Sequence, residues 1–392
     1  MRIVLAGLVT LVAVGARATP ATEPAGGDAA EAQVRALLDE GHVEDAATAA
    51  AAWLARAPDD VHAHAFMAIA RLSSAARHIM TDLAQKGARE RYSDDKYLRA
   101  LLLVLDTELA RADGDLAAVQ ADARFSLVLC PGCWRIDWNG DNVPDDRPLS
   151  IEHDAAGKLM APSDPRRHAT FAFDVGDVHY ARGLVAFARA AVNLGLGYKL
   201  AALIAQVSRF QLDVLRLELD DRARVEKARG FILAGLDHID AARAAYLAER
   251  DDDREWIPNP RQQHHPVPLP VDEAIYQRWA EAIRAVRALV RGDSGLEMAA
   301  LARLAEPAPR VLPRGFLDVG ALFSRPRDFE VRPGELKKQR RDRPDEVLTR
   351  LFGDAYVPRM RANPLPSLLG REEGRRGRDK GSRRWRYVLW LN

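Results

Sequence analysis

Apolar positions recur at helical spacing over most of the chain. Behind Asp272, a helix is predicted to about Arg291, with Ile275, Trp279, Ile283 and Val286 on one face. Residues 61–111 carry the same periodicity, with a break at Tyr92-Ser93-Asp94-Asp95. A long helix is expected from Asp174 past Leu200. Asp174 is its N-cap, and Asp177, three residues on, is the acid of a capping box. Shorter helices are expected over 209–219, 223–236, 239–248 and 345–352. Residues 130–170 lack the helical period and are punctuated by Pro, Gly and Asp. Within them, 149–161 predicts a β-hairpin around Asp154 to Gly157. The five prolines of 255–270 favour an extended connection.

The N-terminus changes this picture. Arg2, the apolar run 3–15 and Ala16-Arg17-Ala18 form the pattern of a secretory signal peptide, so 1–18 is expected to be removed. Residues 19–30 then form a flexible leader, and the mature protein is expected in the periplasm or outside the cell. No segment carries enough uninterrupted apolar residues for a transmembrane span. A formal net charge of +1 over 392 residues gives no global attraction to nucleic acid or membrane. Two cysteines exclude a disulfide-rich scaffold. The basic segment 370–392 is expected to be solvated in its charged part, with contact to an anionic membrane surface as the alternative. Its apolar end, Tyr387-Val388-Leu389-Trp390-Leu391, is expected to dock in a groove.

Two segments echo each other. One begins at Gly41 and ends at Pro58; the other begins at Gly114 and ends at Pro131. Ala50 and Ala123, and Leu54 and Leu127, fall at matching places. Gly permits a tight inter-helix turn, Ala lets helices approach, and Pro ends the helix. With Gly41, Ala46, Leu54 and Pro58 as its best match, the pattern resembles the second helix of a tetratricopeptide repeat. A weaker echo starts at His238. The resemblance implies stacked helix pairs over 31–131 that bind proteins or peptides without catalysis.

Between the helical parts lies the sequence DWNGDNVPDD. Asp137, Asn139, Asp141 and Asp145 occupy positions 1, 3, 5 and 9 of a calcium-type loop, and Val143 would offer its carbonyl at position 7. Alternate side chains of a tightly curled loop point inward, so short oxygen donors can surround one hard ion. The stretch resembles the calcium-binding half-repeat of thrombospondin type 3 modules and the EF-hand loop. Two positions depart from the pattern: Asn142 stands at position 6 and Pro148 at position 12. Glu152, Asp154 or water would have to complete the shell. The resemblance implies a structural calcium ion.

Cys130 and Cys133 form a CxxC without the histidine of a haem motif or a second ligand pair for zinc. Either a local disulfide or two free thiols fits. His264 and His265 are adjacent in the Pro-rich connection, and His153, His168 and His179 are candidates to join the acidic loop.

Taken together, these features predict a mainly α protein. Its N-terminal part is a repeat-like, α-solenoid-like array. Residues 132–173 form a calcium-loop insert, helical regions follow at 174–254 and 271–369, and 255–270 connects them. The expected function is an exported binding or scaffold protein of the cell envelope with a protein or peptide partner. The alternative is a metal-dependent envelope hydrolase built on the Asp137 loop with His153 or Asp177.

Overall fold

The computed structural model describes residues 26–84, 91–135, 137, 143, 158–211, 213–251, 254–263, 272–303, 311–333 and 343–370. Helices α1 (Gly26–Asp39) and α2 (Val43–Arg56) form a first hairpin. Gly41 makes its turn at φ 82°, a left-handed value that a side chain would strain. Helix α3 (Val61–Ala84) starts behind Asp60, whose Oδ1 accepts the N–H groups of His62 and Ala63. The second carboxylate oxygen of Asp60 accepts the Trp53 indole N–H at 3.0 Å, tying α2 to the start of α3. Helix α4 (Asp95–Gln120) begins at Asp94, which caps Lys96 and Tyr97.

A short antiparallel pair follows. Strand β1 (Ser126–Leu129) lies against β2 (Phe171–Asp174), with Leu127 opposite Phe173 and Leu129 opposite Phe171. These apolar residues enter the main core with Trp134 and Trp256, which packs edge-on against Phe171. The last residue of β2 is also the N-cap of α5 (Val175–Gly197). Asp174 accepts from Gly176 and Asp177, and Asp177 returns a bond to the Asp174 N–H.

Helix α7 (Arg222–Ala248) runs along α5. Their approach is close because both present glycine at the crossing. A Cβ on Gly183 would lie 2.7 Å from Ile239, and one on Gly235 would lie 2.6 Å from Phe187. In chain order, the short apolar helix α6 (Leu200–Ser208) and strand β3 (Leu215–Leu217) come between them. Helix α8 (Glu273–Arg291) is capped by Asp272 and stopped by Gly292 at φ 83°. Its Ile283 is buried and Trp279 and Val286 pack beside it, on the face the sequence predicts. The remainder consists of short elements: β4 (Leu296–Glu297), α9 (Met298–Arg303), β5 (Phe316–Leu317), α10 (Val319–Ser324), β6 (Phe329–Val331), α11 (Pro344–Phe352), β7 (Tyr356–Val357) and α12 (Leu365–Gly370). Strands β4, β5 and β7 form one small antiparallel sheet, and β3 pairs with β6.

The protein is therefore mainly α-helical. Along the series α1, α2, α3, α4, α5, α7, α8, each helix packs against the next. No helix among the described residues is long and apolar enough to cross a membrane.

Several local expectations differ from the structure. Residues 114–131 do not repeat the helix of 41–58. Gly114 lies inside α4, and 126–129 is a strand, because its alternating apolar side chains find partners on β2. The helix from Asp174 stops at Gly197 rather than passing Leu200. A Cβ there would meet Val225 at 2.6 Å, and Tyr198 turns extended to bridge Leu219. Residues 209–211 and 213–219 are not helical: Leu215 and Leu217 pair with β6, a partner more than a hundred residues away in sequence. The two predicted helices over 223–248 are one, since nothing in Asp237-His238 interrupts α7. The predicted hairpin around Asp154 to Gly157 lies outside the described residues, as do 1–25, 264–271 and 371–392.

Candidate functional site

On α3, Ser74, Arg77, His78, Thr81 and Asp82 follow the spacing i, i+3, i+4, i+7, i+8. That spacing places polar side chains in one stripe along a helix. With Glu44 from the first turn of α2, the stripe lines a cleft of about 410 Å³. Neighbouring residues on α3, among them Leu72, Ala75 and Ala76, face the core. The cleft is thus the polar side of a helix whose other side holds the array together.

The cleft carries both signs of charge. Arg77 donates from Nη1 to Glu44 Oε2 at 2.5 Å. His78 is exposed beside it. At the far end, Asp82 accepts from Arg91 Nη2 at 2.8 Å and from the Tyr97 hydroxyl at 2.5 Å. Burial by itself would raise the Asp82 pKa. The hydroxyls of Tyr92 and Tyr97, with the Arg91 charge, hold it below the ordinary carboxylate value instead. Thr81 Oγ1 is buried without a hydrogen-bond partner among the described residues.

Among the described residues of the calcium-type loop, Asp137 reaches Arg77 of this cleft. Asp137 is only 2 % exposed, and its Oδ2 lies 3.3 Å from Arg77 Nη2. Position 1 of the loop is therefore turned inward against α3, and its charge faces a guanidinium. Val143 is 57 % exposed. Asn139, Asp141 and Asp145 lie outside the described residues, as do Glu152, His153 and Asp154. An inward Asp at position 1 suits a metal ligand. Arg77 would share that carboxylate, which weakens the pull on a cation.

The chain leading into the loop is firmly held. Cys130 and Cys133 are joined by a disulfide across a 3₁₀ turn, with Cα atoms 5.4 Å apart. His168 Nδ1–H donates to the Gly132 carbonyl at 2.6 Å. Arg35 of α1 donates to the Val128 carbonyl at 2.9 Å, fastening β1 to the helical array. Trp134, in the core at 2 % exposure, closes the turn.

His179 and Asp177, the other candidates for a metal site, are held elsewhere. His179 of α5 faces His238 of α7, with Nδ1 atoms 3.3 Å apart. Asp177 is buried, and both its oxygens are engaged inside the fold. Oδ1 accepts the Tyr246 hydroxyl at 2.8 Å and Oδ2 accepts the Asp174 N–H at 3.1 Å.

Around Asp177 lies a second polar group. The charges of Asp174 and Glu255 raise the pKa values of both Asp177 and Glu249. Burial, then the nearby Asp174 charge, push Asp177 well above its ordinary value. Burial, followed by Asp174 and Glu255, push Glu249 up to about 10. A pKa that high would keep Glu249 protonated at neutral pH, able to share its proton with Asp174. Asn259 completes the network by donating to the Tyr246 carbonyl at 2.8 Å. In the sequence, Asp174 reads as a helix cap, and Asp177 as its capping-box acid and as a candidate for the alternative metal site. Glu249 and Glu255 had no signal of their own, because the contacts that bring them in are tertiary. The polar stripe of α3, by contrast, was present in the sequence as a helical period of polar residues.

No family model, no curated protein and no solved structure matches this chain.

Proposed function

We propose that the chain is an exported binding module of the cell envelope. In this reading the cleft between α2 and α3 receives a polar segment of a partner protein, and calcium in the Asp137 loop braces one wall of it. The observation that carries the reading is the position of Arg77, which bonds Glu44 in the cleft and Asp137 in the loop at once. Two further features support it. The cleft offers donors and acceptors of both signs, as a peptide backbone with mixed side chains requires. Successive helices pack against their neighbours in series, as in stacked arrays that present an extended binding face. Export and the repeat resemblance belong to the same proposal, resting on 1–18 and on the pattern from Gly41 to Pro58.

A random peptide display selection on the folded protein tests this reading. Enriched peptides should lose binding when Ser74→Trp fills the cleft. They should keep it when the basic residues of 371–386 are neutralised. Selection without enrichment, or enrichment indifferent to Ser74→Trp, would rule out the cleft as the binding face.

A further inference from the structure

The facing histidines of α5 and α7 are a feature that neither the cleft nor the loop uses. His179 Nδ1 and His238 Nδ1 stand 3.3 Å apart, with ring centroids at 5.6 Å and planes inclined by 43°. Among the described residues, neither ring makes another hydrogen bond. Each is the other's one polar partner. Both are partly exposed, so solvent and small solutes reach them.

Two neutral imidazoles facing through the same nitrogen can form one N–H···N bond, but 3.3 Å is long for it. The same spacing has another chemistry. With metal–nitrogen bonds of about 2.0–2.1 Å, two ligands of a tetrahedral zinc ion stand about 3.3–3.4 Å apart. The nitrogens are thus placed as adjacent ligands of one ion. The scaffold under them is tightly packed: α5 and α7 approach closely through Gly183 and Gly235, and Ile239 beside His238 is buried.

The protonation state fits as well. Burial, then the charge of Arg182, holds both rings below the ordinary histidine value, so both keep a lone pair at neutral pH. Arg182 would oppose a cation, but it is already engaged. Its Nε donates to Asp113 Oδ1 at 2.8 Å, and it also bonds Gln120.

We propose that His179 and His238 form a two-histidine site for a divalent late first-row transition ion such as zinc, with water completing the coordination. Imidazole nitrogen suits these ions and not calcium, which takes oxygen ligands. The site is therefore independent of the Asp137 loop.

The test is a zinc titration of the metal-stripped full chain by calorimetry, with millimolar calcium present to fill oxygen sites. One equivalent should bind, and His179→Ala and His238→Ala should each weaken it by at least about tenfold. An unchanged titration in both folded variants would overturn the site. So would an absence of zinc binding to the wild-type chain. If a variant fails to fold, Cu²⁺ on the wild-type protein is read by electron paramagnetic resonance. Hyperfine structure from two imidazole nitrogens is expected; coordination by oxygen alone, or by one nitrogen, would contradict the proposal.

Discussion

Arg77 Nη2 lies 3.3 Å from Asp137 Oδ2, and the two side chains are 21 % and 3 % exposed. The carboxylate is thus almost wholly removed from water, and a guanidinium of α3 stands where bulk solvent would otherwise screen it. A buried carboxylate without a cation is expensive, because desolvation opposes its charge.

Removing that cation has a predictable cost. Arg77→Gln should destabilise the protein by about 2–3 kcal/mol in chelator, less than the ~3–5 kcal/mol of breaking a fully buried pair, because Arg77 itself is partly solvated. Calcium would restore positive charge at the same carboxylate. The loss measured by urea denaturation should therefore shrink in millimolar calcium. An equal loss in calcium and chelator would separate Arg77 from the metal.

The α5–α7 crossing and two exposed glycines should respond to the same substitution with opposite signs. Gly235→Ala would place a methyl 2.6 Å from Phe187 and 3.0 Å from the Gly183 carbonyl. Overpacking of that kind costs about 1–3 kcal/mol. Gly114 in α4 and Gly230 in α7 have nothing within 4 Å of such a methyl. There alanine should stabilise by about 0.5–1 kcal/mol through helix propensity. Denaturant midpoints of the three variants decide the matter. A stabilised Gly235→Ala would show that the helices can part without cost.

Glu249 sets a pH dependence. Its pKa is raised in the folded state to about 10 from an ordinary 4.5. For an acid shifted upward, the stabilising effect is complete below the unfolded value. It is lost as pH rises from there to the folded value, because the unfolded chain releases the proton first. Glu249→Gln, which mimics the protonated form, should remove this loss. The variant should melt higher than wild type at pH 8 to 9, and the difference should shrink toward pH 4.5. A constant difference across that range would mean that Glu249 is not protonated in the fold.

The disulfide should contribute modestly. Cys130 and Cys133 enclose a very short loop, for which chain-entropy reasoning gives about 2 kcal/mol. Non-reduced, denatured protein should show no free thiol. Replacing both cysteines by serine should lower stability by that amount without changing the helical circular-dichroism signal.

What the sequence revealed follows the range of the interaction behind it. The caps at Asp174 and Asp272 were legible because each is a contact within three residues (Asp94 showed only as a break in the helical period). So were the left-handed turn at Gly41 and the apolar face of α8. The strands were not. Leu127 pairs with Phe173 and Leu215 with Val331, and no local pattern announces a partner so distant. The end of α5 at Gly197 was hidden for the same reason, since its cause is Val225 and Leu219 on other segments. The site was half visible. The loop residue Asp137 stood out by spacing, and the α3 stripe had the right period. Their junction at Arg77 required the fold.

The most direct test of the account is calcium itself. The full chain, stripped with chelator, should melt higher as calcium is added. The gain should approach about 2.7 kcal/mol at a hundredfold excess over the dissociation constant. With Pro148 at position 12, that constant should be weak, about 10⁻⁴–10⁻³ M as in extracellular modules. Terbium in place of calcium should luminesce on excitation of Trp134 and Trp138, which neighbour Asp137 in sequence. Asp137→Ala and Asp141→Ala should each abolish that emission. If millimolar calcium leaves the melting temperature unchanged and terbium stays dark, the loop holds no ion, and Asp137 serves only as the partner of Arg77.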